Sequence, residues 1–129
     1  MQQQSQAFYL QDRVQVSFKV NYATEFGESL CIVGETEETG KWSNFERGQM
    51  QWTEGNWWKT TLEVDPKVPF QYKYVVIDQA RKTVKRWESG INRICDPEYL
   101  PRSADGFRLE TLVDEWEHFT VTFSVYLPT

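Results

Sequence analysis

A period of two runs through this chain, and it constrains the fold more than any other feature. Val14, Val16, Phe18 and Val20 alternate with Gln15, Ser17 and Lys19, which puts the apolar set on one face of an extended strand and the polar set on the other. The pattern returns at Trp58, Thr60, Leu62 and Val64, and at Phe70, Tyr72, Tyr74 and Val76. It returns again at Phe107, Leu109, Thr111 and Val113, and finally at Phe119, Val121, Phe123 and Val125. Residues 30–33 form a short apolar run before Gly34, residues 83–87 a short strand, and residues 48–53 a weaker one. Glu54-Gly55-Asn56, Ser89-Gly90 and Ala104-Asp105-Gly106 separate them as turns. No segment carries a helical period, and residues 114–118 make at most a turn. Alternating strands at this spacing predict an all-β fold, an antiparallel β-sandwich or open-sided barrel of about seven to eight strands.

Composition limits what such a sandwich can bind. A chain of 129 residues makes one domain with a real core, and its six Trp, within 16% aromatic residues, exceed what that core needs. Some indoles are therefore expected at the surface. A net charge of −5 and a pI near 4.9 argue against nucleic acid or an anionic membrane as partner and favour a neutral ligand. No stretch approaches the roughly 20 apolar residues of a membrane span, and Met1-Gln2-Gln3-Gln4-Ser5-Gln6 has the character of neither region of a signal peptide. The expectation is a soluble, cytoplasmic protein, or a plastid one if a transit peptide has been removed. Cys31 and Cys95 have no metal-ligand or redox spacing, so neither metal nor cofactor is signalled, and Cys31 reads as a small buried hydrophobe.

Trp42, Lys73, Trp87, Glu88 and Asn92 form the constellation with chemical content. Two flat indoles can take the apolar C–H face of a pyranose out of water, while a cation, a carboxylate and an amide can bond its hydroxyl edge. The motifs that carry these residues occur in a fixed order: Gly27-Glu28-Ser29-Leu30-Cys31-Ile32-Val33-Gly34, Gly40-Lys41-Trp42, Trp58, Phe70-Gln71-Tyr72-Lys73-Tyr74, and Trp87-Glu88-Ser89-Gly90-Ile91-Asn92-Arg93. That series resembles the family 20 carbohydrate-binding modules, the starch-binding domains, from about Val14 to Trp116. The resemblance implies an immunoglobulin-like sandwich that binds α-1,4-glucans such as starch, glycogen, maltooligosaccharides and cyclodextrins without transforming them, and that is attached to a glucan-active enzyme. It implies a first site in which Trp42 and Trp87 stack on successive glucoses of a curling chain while Lys73, Glu88 and Asn92 bond hydroxyls. It also implies a second site around Phe26 and Trp58, with Trp52 and Trp57 flanking the same loop. Phe26 stands where the family often has Tyr, which keeps the ring and loses its hydroxyl.

Plainer readings stand beside these. Trp52, Trp57 and Trp58 lie in strand patterns, where an aromatic is as readily core as surface. Lys73 alternates out of an apolar face and reads equally as solvated, and Glu88 and Asn92 flank a bend that turn residues favour. A protein-interaction module that kept the fold and lost the sugar would use the same exposed aromatics. Catalysis finds little support: His118 is the lone histidine, and no nucleophile motif accompanies it. Arg81-Lys82 and Lys85-Arg86 read as a solvated hairpin face.

Three segments follow: an extension over residues 1–12, the domain proper over residues 13–116, and residues 117–129 as an extra strand or the start of a second module. Val121-Thr122-Phe123-Ser124-Val125 is similar to Val16-Ser17-Phe18-Lys19-Val20, the domain's own first strand. A tandem arrangement of this kind resembles the modules of cytosolic disproportionating glucanotransferases; phosphoglucan, water dikinases are similar through Trp52-Thr53-Glu54 and Glu88-Ser89-Gly90.

Overall fold

The computed structural model describes residues 13–119, so the extension over residues 1–12 and nearly all of the final alternating strand lie outside the described residues. Among the described residues, eight strands form two sheets: β1 (Val14–Asn21), β2 (Glu28–Gly34), β3 (Gln51–Thr53), β4 (Trp57–Val64), β5 (Phe70–Asp78), β6 (Thr83–Trp87), β7 (Arg93–Cys95) and β8 (Leu112–Glu115). One sheet runs β3-β4-β1-β8, with β8 parallel to β1 and the other pairs antiparallel. In the other, β2 lies along one edge of β5, and β6 and β7 share the opposite edge. Helical structure among the described residues is confined to 3-10 turns at Gly40–Trp42, Phe45–Gly48 and Pro97–Tyr99.

The alternation explains the core. Val16, Phe18 and Val20 of β1 point inward with Trp58, Leu62 and Val64 of β4, and meet Leu30, Ile32, Phe70, Tyr72, Tyr74 and Val76 of the second sheet. Phe18 packs edge-on against Phe70 and Tyr72, with centroids at 6.5 and 5.0 Å. Residues 30–33 are apolar without a break because β2 is covered on both sides. Cys31 and Val33 belong to a second cluster with Val75 and Ile77 on the outer face of the sheet, roofed by Trp42, Phe45 and Val84. Trp42 and Phe45 come from the excursion between β2 and β3, and Val84 from β6; the excursion passes close to β2 at Gly48. A Cβ there would sit 1.9 Å from the Ile32 carbonyl oxygen, so only glycine fits.

Three strand readings need correction. Residues 107–113 do not form one alternating strand: Leu109 is buried, Phe107 and Val113 are exposed, and regular pairing begins only at Leu112. Residues 107–109 do pair with β1, the Gln15 N–H donating to the Phe107 carbonyl and the Leu109 N–H to the Gln15 carbonyl, both at 2.8 Å, but the ladder breaks after them, where the Glu110 N–H donates to the Pro101 carbonyl at 2.8 Å. Residues 114–118 are in part strand, because Asp114 and Glu115 end β8. Strand β7 escapes the alternation argument: it is short, and its inward residues, Arg93 and Cys95, include a charge.

Candidate functional site

Strand β5 organises the outer face of its sheet. Pairing of Val75 with Cys31 and Trp87, and of Lys73 with Val33, puts Lys73, Val75, Ile77, Cys31, Val33 and Trp87 on one side, away from the core. The edge ladder is interrupted there. β6 pairs with the far half of β5, β7 with the near half, and residues 88–92 bulge out between them, opposite Lys73. Trp87 ends β6 with 45% of its surface open, its ring edge-on to Phe45 at a centroid distance of 5.8 Å and an interplanar angle of 70°. Trp42 lies on the same face, half-buried against the second cluster.

Strained backbone sets the angle of Trp42. Gly40, Lys41 and Trp42 have φ of 81°, 48° and 63°, a run of left-handed residues that costs about 1–3 kcal/mol at each non-glycine position. Local bonds hold it. The Lys41 N–H donates to the Thr36 carbonyl at 2.9 Å, and the Ser43 and Asn44 N–H groups both donate to the Gly40 carbonyl, at 3.0 and 2.8 Å. Beneath them Thr39, fully buried, accepts from the Thr36 N–H at 3.0 Å and donates back to the Thr36 carbonyl at 3.1 Å. Strain of this kind persists because the surrounding bonds over-determine it, and here the buried threonine does so.

Lys73, Glu88 and Asn92 are all at this loop, in different roles. Lys73 Nζ donates to the carbonyls of Glu88, Gly90 and Ile91 at 2.9, 2.8 and 3.2 Å. An ammonium has three donors, so Lys73 reaches a ligand only by releasing one of these carbonyls. Glu88 departs further from the expected hydroxyl contact. Its side chain is 1% exposed, and its carboxylate accepts from Arg93 Nε at 3.1 Å, Arg93 Nη2 at 2.6 Å and the Glu117 N–H at 2.8 Å. A sugar hydroxyl cannot reach it, because burial and a forked guanidinium occupy both oxygens. Asn92 is exposed and donates to Gln71 Oε1 at 2.8 Å, an amide pair next to the platform.

Arg93 and Asp114 complete the support. Arg93 also donates to the Glu115 carbonyl at 2.6 Å and lies 3.5 Å from Asp114 Oδ1. Asp114 Oδ2 accepts from the Tyr72 and Tyr74 hydroxyls, at 2.8 and 2.6 Å, across from the other sheet. Burial, with the Asp114 charge adding to it, pushes both phenols far above their ordinary range, so they stay protonated donors. For Arg93 burial works against the charge, but the Glu88 carboxylate and the nearby Asp114 outweigh it, and its proton is held more tightly than usual. Gln71, Phe45, Thr36, Thr39 and Arg93 escaped sequence reasoning. Gln71 shares Lys73's strand face and is open to the period-two argument, whereas Arg93 stands in its motif with no local signal that its charge turns inward.

Residues of the expected second site divide. Trp58 is 5% exposed in the core, with its Nε1 donating to the Tyr22 carbonyl at 3.2 Å, so it is no stacking surface; the inward period of β4 decides this. Trp52 is 51% exposed on the edge strand and donates from Nε1 to Asn56 Oδ1 at 3.1 Å. Trp57 is half-buried and carries the Lys19 ammonium 4.6 Å from its ring centroid. Phe26, in the turn before β2, is fully exposed. The basic residues of β6 are partly tied down. Lys85 and Arg86 lie 2.7 and 3.5 Å from the buried Glu28 carboxylate, and Arg86 Nη2 also donates to the Tyr22 hydroxyl at 2.6 Å. His118 is exposed and pairs with Glu115 at 2.8 Å.

An all-β sandwich with an aromatic platform on one sheet face, and an amide pair beside it, defines a carbohydrate-binding module. Residues 13–103 match the starch binding domain family, and the chain belongs to it, a family of non-catalytic binding modules. A thermophilic beta-amylase of Thermoanaerobacterium thermosulfurigenes is 33% identical over 81 residues, covering 61% of this chain and 14% of that protein. An alpha-amylase of Streptomyces violaceus is 31% identical over 77 residues, 60% of this chain and 13% of that protein. The chain thus spans only about a seventh of the length of these relatives. Among solved structures, the glucoamylase of Hypocrea jecorina superposes with a TM-score of 0.70 at 22% identity, over 83% of this chain and 18% of that one. The family 20 CBM of the maltotetraose-forming amylase of Pseudomonas saccharophila STB07 gives 0.59 at 22% identity, over 78% of this chain and all of that one.

Proposed function

We propose that this module holds α-1,4-glucan of the starch or glycogen type on the outer face of the β2-β5-β6 sheet. Trp87 and Trp42 stack on glucose rings, and the Asn92–Gln71 amide pair bonds the hydroxyl edge. Lys73, Glu88 and Arg93 fix the loop that carries Trp87 and Asn92. One observation carries the reading: a large indole at the end of β6 stands 45% open to solvent on the face shared with Trp42 and Lys73. Burying such a ring against the C–H face of a sugar is favourable, and the fixed strand scaffold means little ordering is lost on binding.

An open platform buries little surface, so one site binds weakly, with Kd on the order of 10 μM to 1 mM. Phe26 and Trp52, both exposed, are the rings left for a second contact, and two contacts on one polymer raise the apparent affinity by effective concentration. The module's task is then to hold an attached glucan-active enzyme near its polymer, alone or beside a second module. Pull-down on insoluble starch, competed with β-cyclodextrin, tests the platform. Wild type should sediment with the granules and be released by competitor, while Trp42→Ala and Trp87→Ala should stay in the supernatant. Full binding by both folded variants would refute the site, and a wild type left in the supernatant would favour a protein partner for the exposed aromatics.

A further inference from the structure

Beside the platform lies a groove of about 490 Å³ that the stacking argument leaves unused. Its floor is Cys31 and Ile77, and its walls include Ser43, Asn44, Gln79 and Phe45. Phe45 belongs to both places: it walls the groove while its ring touches Trp87 edge-on at 5.8 Å. The register gives the direction. Val75 pairs with both Cys31 and Trp87, Ile77 follows two residues along the same face, and Gln79 lies in the turn just after β5, so the groove floor starts at Cys31, level with Trp87, and runs about 7 Å along β5 to Ile77 and the turn beyond it. An apolar floor between hydroxyl and amide walls, which Glu46 and Lys82 also line, matches a pyranose, an apolar ring face rimmed by hydroxyls that amides and charged groups can bond.

We infer that this groove is an extension of the glucan track, which takes the glucose residues of a longer chain after the first have stacked on Trp87 and Trp42. The inference rests on the proposed function and adds chain-length discrimination to it. Asn44 and Gln79 are exposed, and no side-chain hydrogen bond within the fold engages them among the described residues; they are therefore available to sugar hydroxyls. Phe45 relays the chain from platform to groove and sets the edge at which it passes.

Titration calorimetry with maltotriose and maltoheptaose, on wild type and on the Asn44→Ala/Gln79→Ala double variant, tests it. Wild type should bind the longer sugar several-fold more tightly. The double variant should keep the maltotriose affinity within about twofold and lose most of that length-dependent gain, since one lost hydrogen bond is worth about fivefold. In parallel, amide resonances of residues 43–46 and 79–82 should shift with maltoheptaose and stay nearly still with maltotriose. A double variant that keeps the full gain overturns the extension, as does one that weakens both sugars equally. Maltotriose binding that survives in wild type in either case leaves the platform standing. Failure of wild type to bind either sugar overturns both.

Discussion

Replacing Arg93 by Met tests whether the platform loop hangs from a buried ion pair. The Glu88 carboxylate is 1% exposed and receives two of its three hydrogen bonds from Arg93, which itself is 8% exposed. Arg93→Met removes the counter-ion and keeps the volume, leaving the carboxylate with the Glu117 N–H alone. Breaking a buried pair from one side costs about 3–5 kcal/mol, against about 5–15 kcal/mol for the whole domain. At this size that corresponds to a fall in Tm of roughly 10–25 °C. Substituting Glu88 by Met as well removes the stranded charge, and replacing both partners of such a pair by apolar residues is often close to neutral. The double variant should therefore recover most of the loss, a coupling of at least about 2 kcal/mol by urea titration, without recovering starch binding. A single variant within about 1 kcal/mol of wild type, or a double variant no more stable than the single, would refute the reasoning.

Trp58→Ala should cost about 3–5 kcal/mol through the cavity it leaves in the core, whereas Trp87→Ala should cost less than about 1 kcal/mol; paired denaturation curves check the contrast. Gly48→Ala should destabilise by at least about 1–3 kcal/mol, because its new methyl meets the Ile32 carbonyl at 1.9 Å, and a lower denaturant midpoint at unchanged slope would show it. Burial pushes the thiols of Cys31 and Cys95 up to about 11 and about 12, so neither should react with an aromatic disulfide reagent at pH 8 until denaturant is added. Burial works to raise the pKa of Glu28, but the Lys85 hydrogen bond, the Glu25 N–H and the charges of Lys85 and Arg86 outweigh it and hold it below the ordinary glutamate value. A depressed carboxylate stabilises the fold above its unfolded value, and that stability is lost as pH falls through the folded value. Glu28→Gln should thus flatten the acid limb of a stability-against-pH curve below about pH 4.5.

Much of the fold was open to period-two reading because most strands bury one face and wet the other. Residues 107–113 misled that reading: apolar side chains alternate there, but the pairing with β1 at residues 107–109 breaks where the Glu110 N–H turns to the Pro101 carbonyl, which hydropathy does not register. Trp42 and Trp87 were legible as surface residues because each stands beside polar neighbours at a strand or loop boundary. Trp58 was legible as core from its own strand, and only the resemblance drew it toward a binding role. Glu88, Lys73 and Arg93 could not be sorted by sequence. Whether a charge faces solvent or a partner depends on residues such as Glu117 and Asp114, more than twenty positions away, which the fold alone brings near.

The family's sequence match ends at residue 103, yet the groups that steady the platform loop continue through Asp114, Glu115 and Glu117. A chain trimmed to the matched segment would carry every aromatic and amide of the platform and lack the clasp beneath it. It would also lose β8, leaving the flank of β1 bare for pairing with a neighbouring molecule and the Tyr72 and Tyr74 hydroxyls without their shared acceptor. Such a fragment would keep the vocabulary of a glucan binder and lose its grammar. For dissection of this module, the unit to keep ends where its hydrogen bonds end, past residue 103 at which the family's sequence match stops.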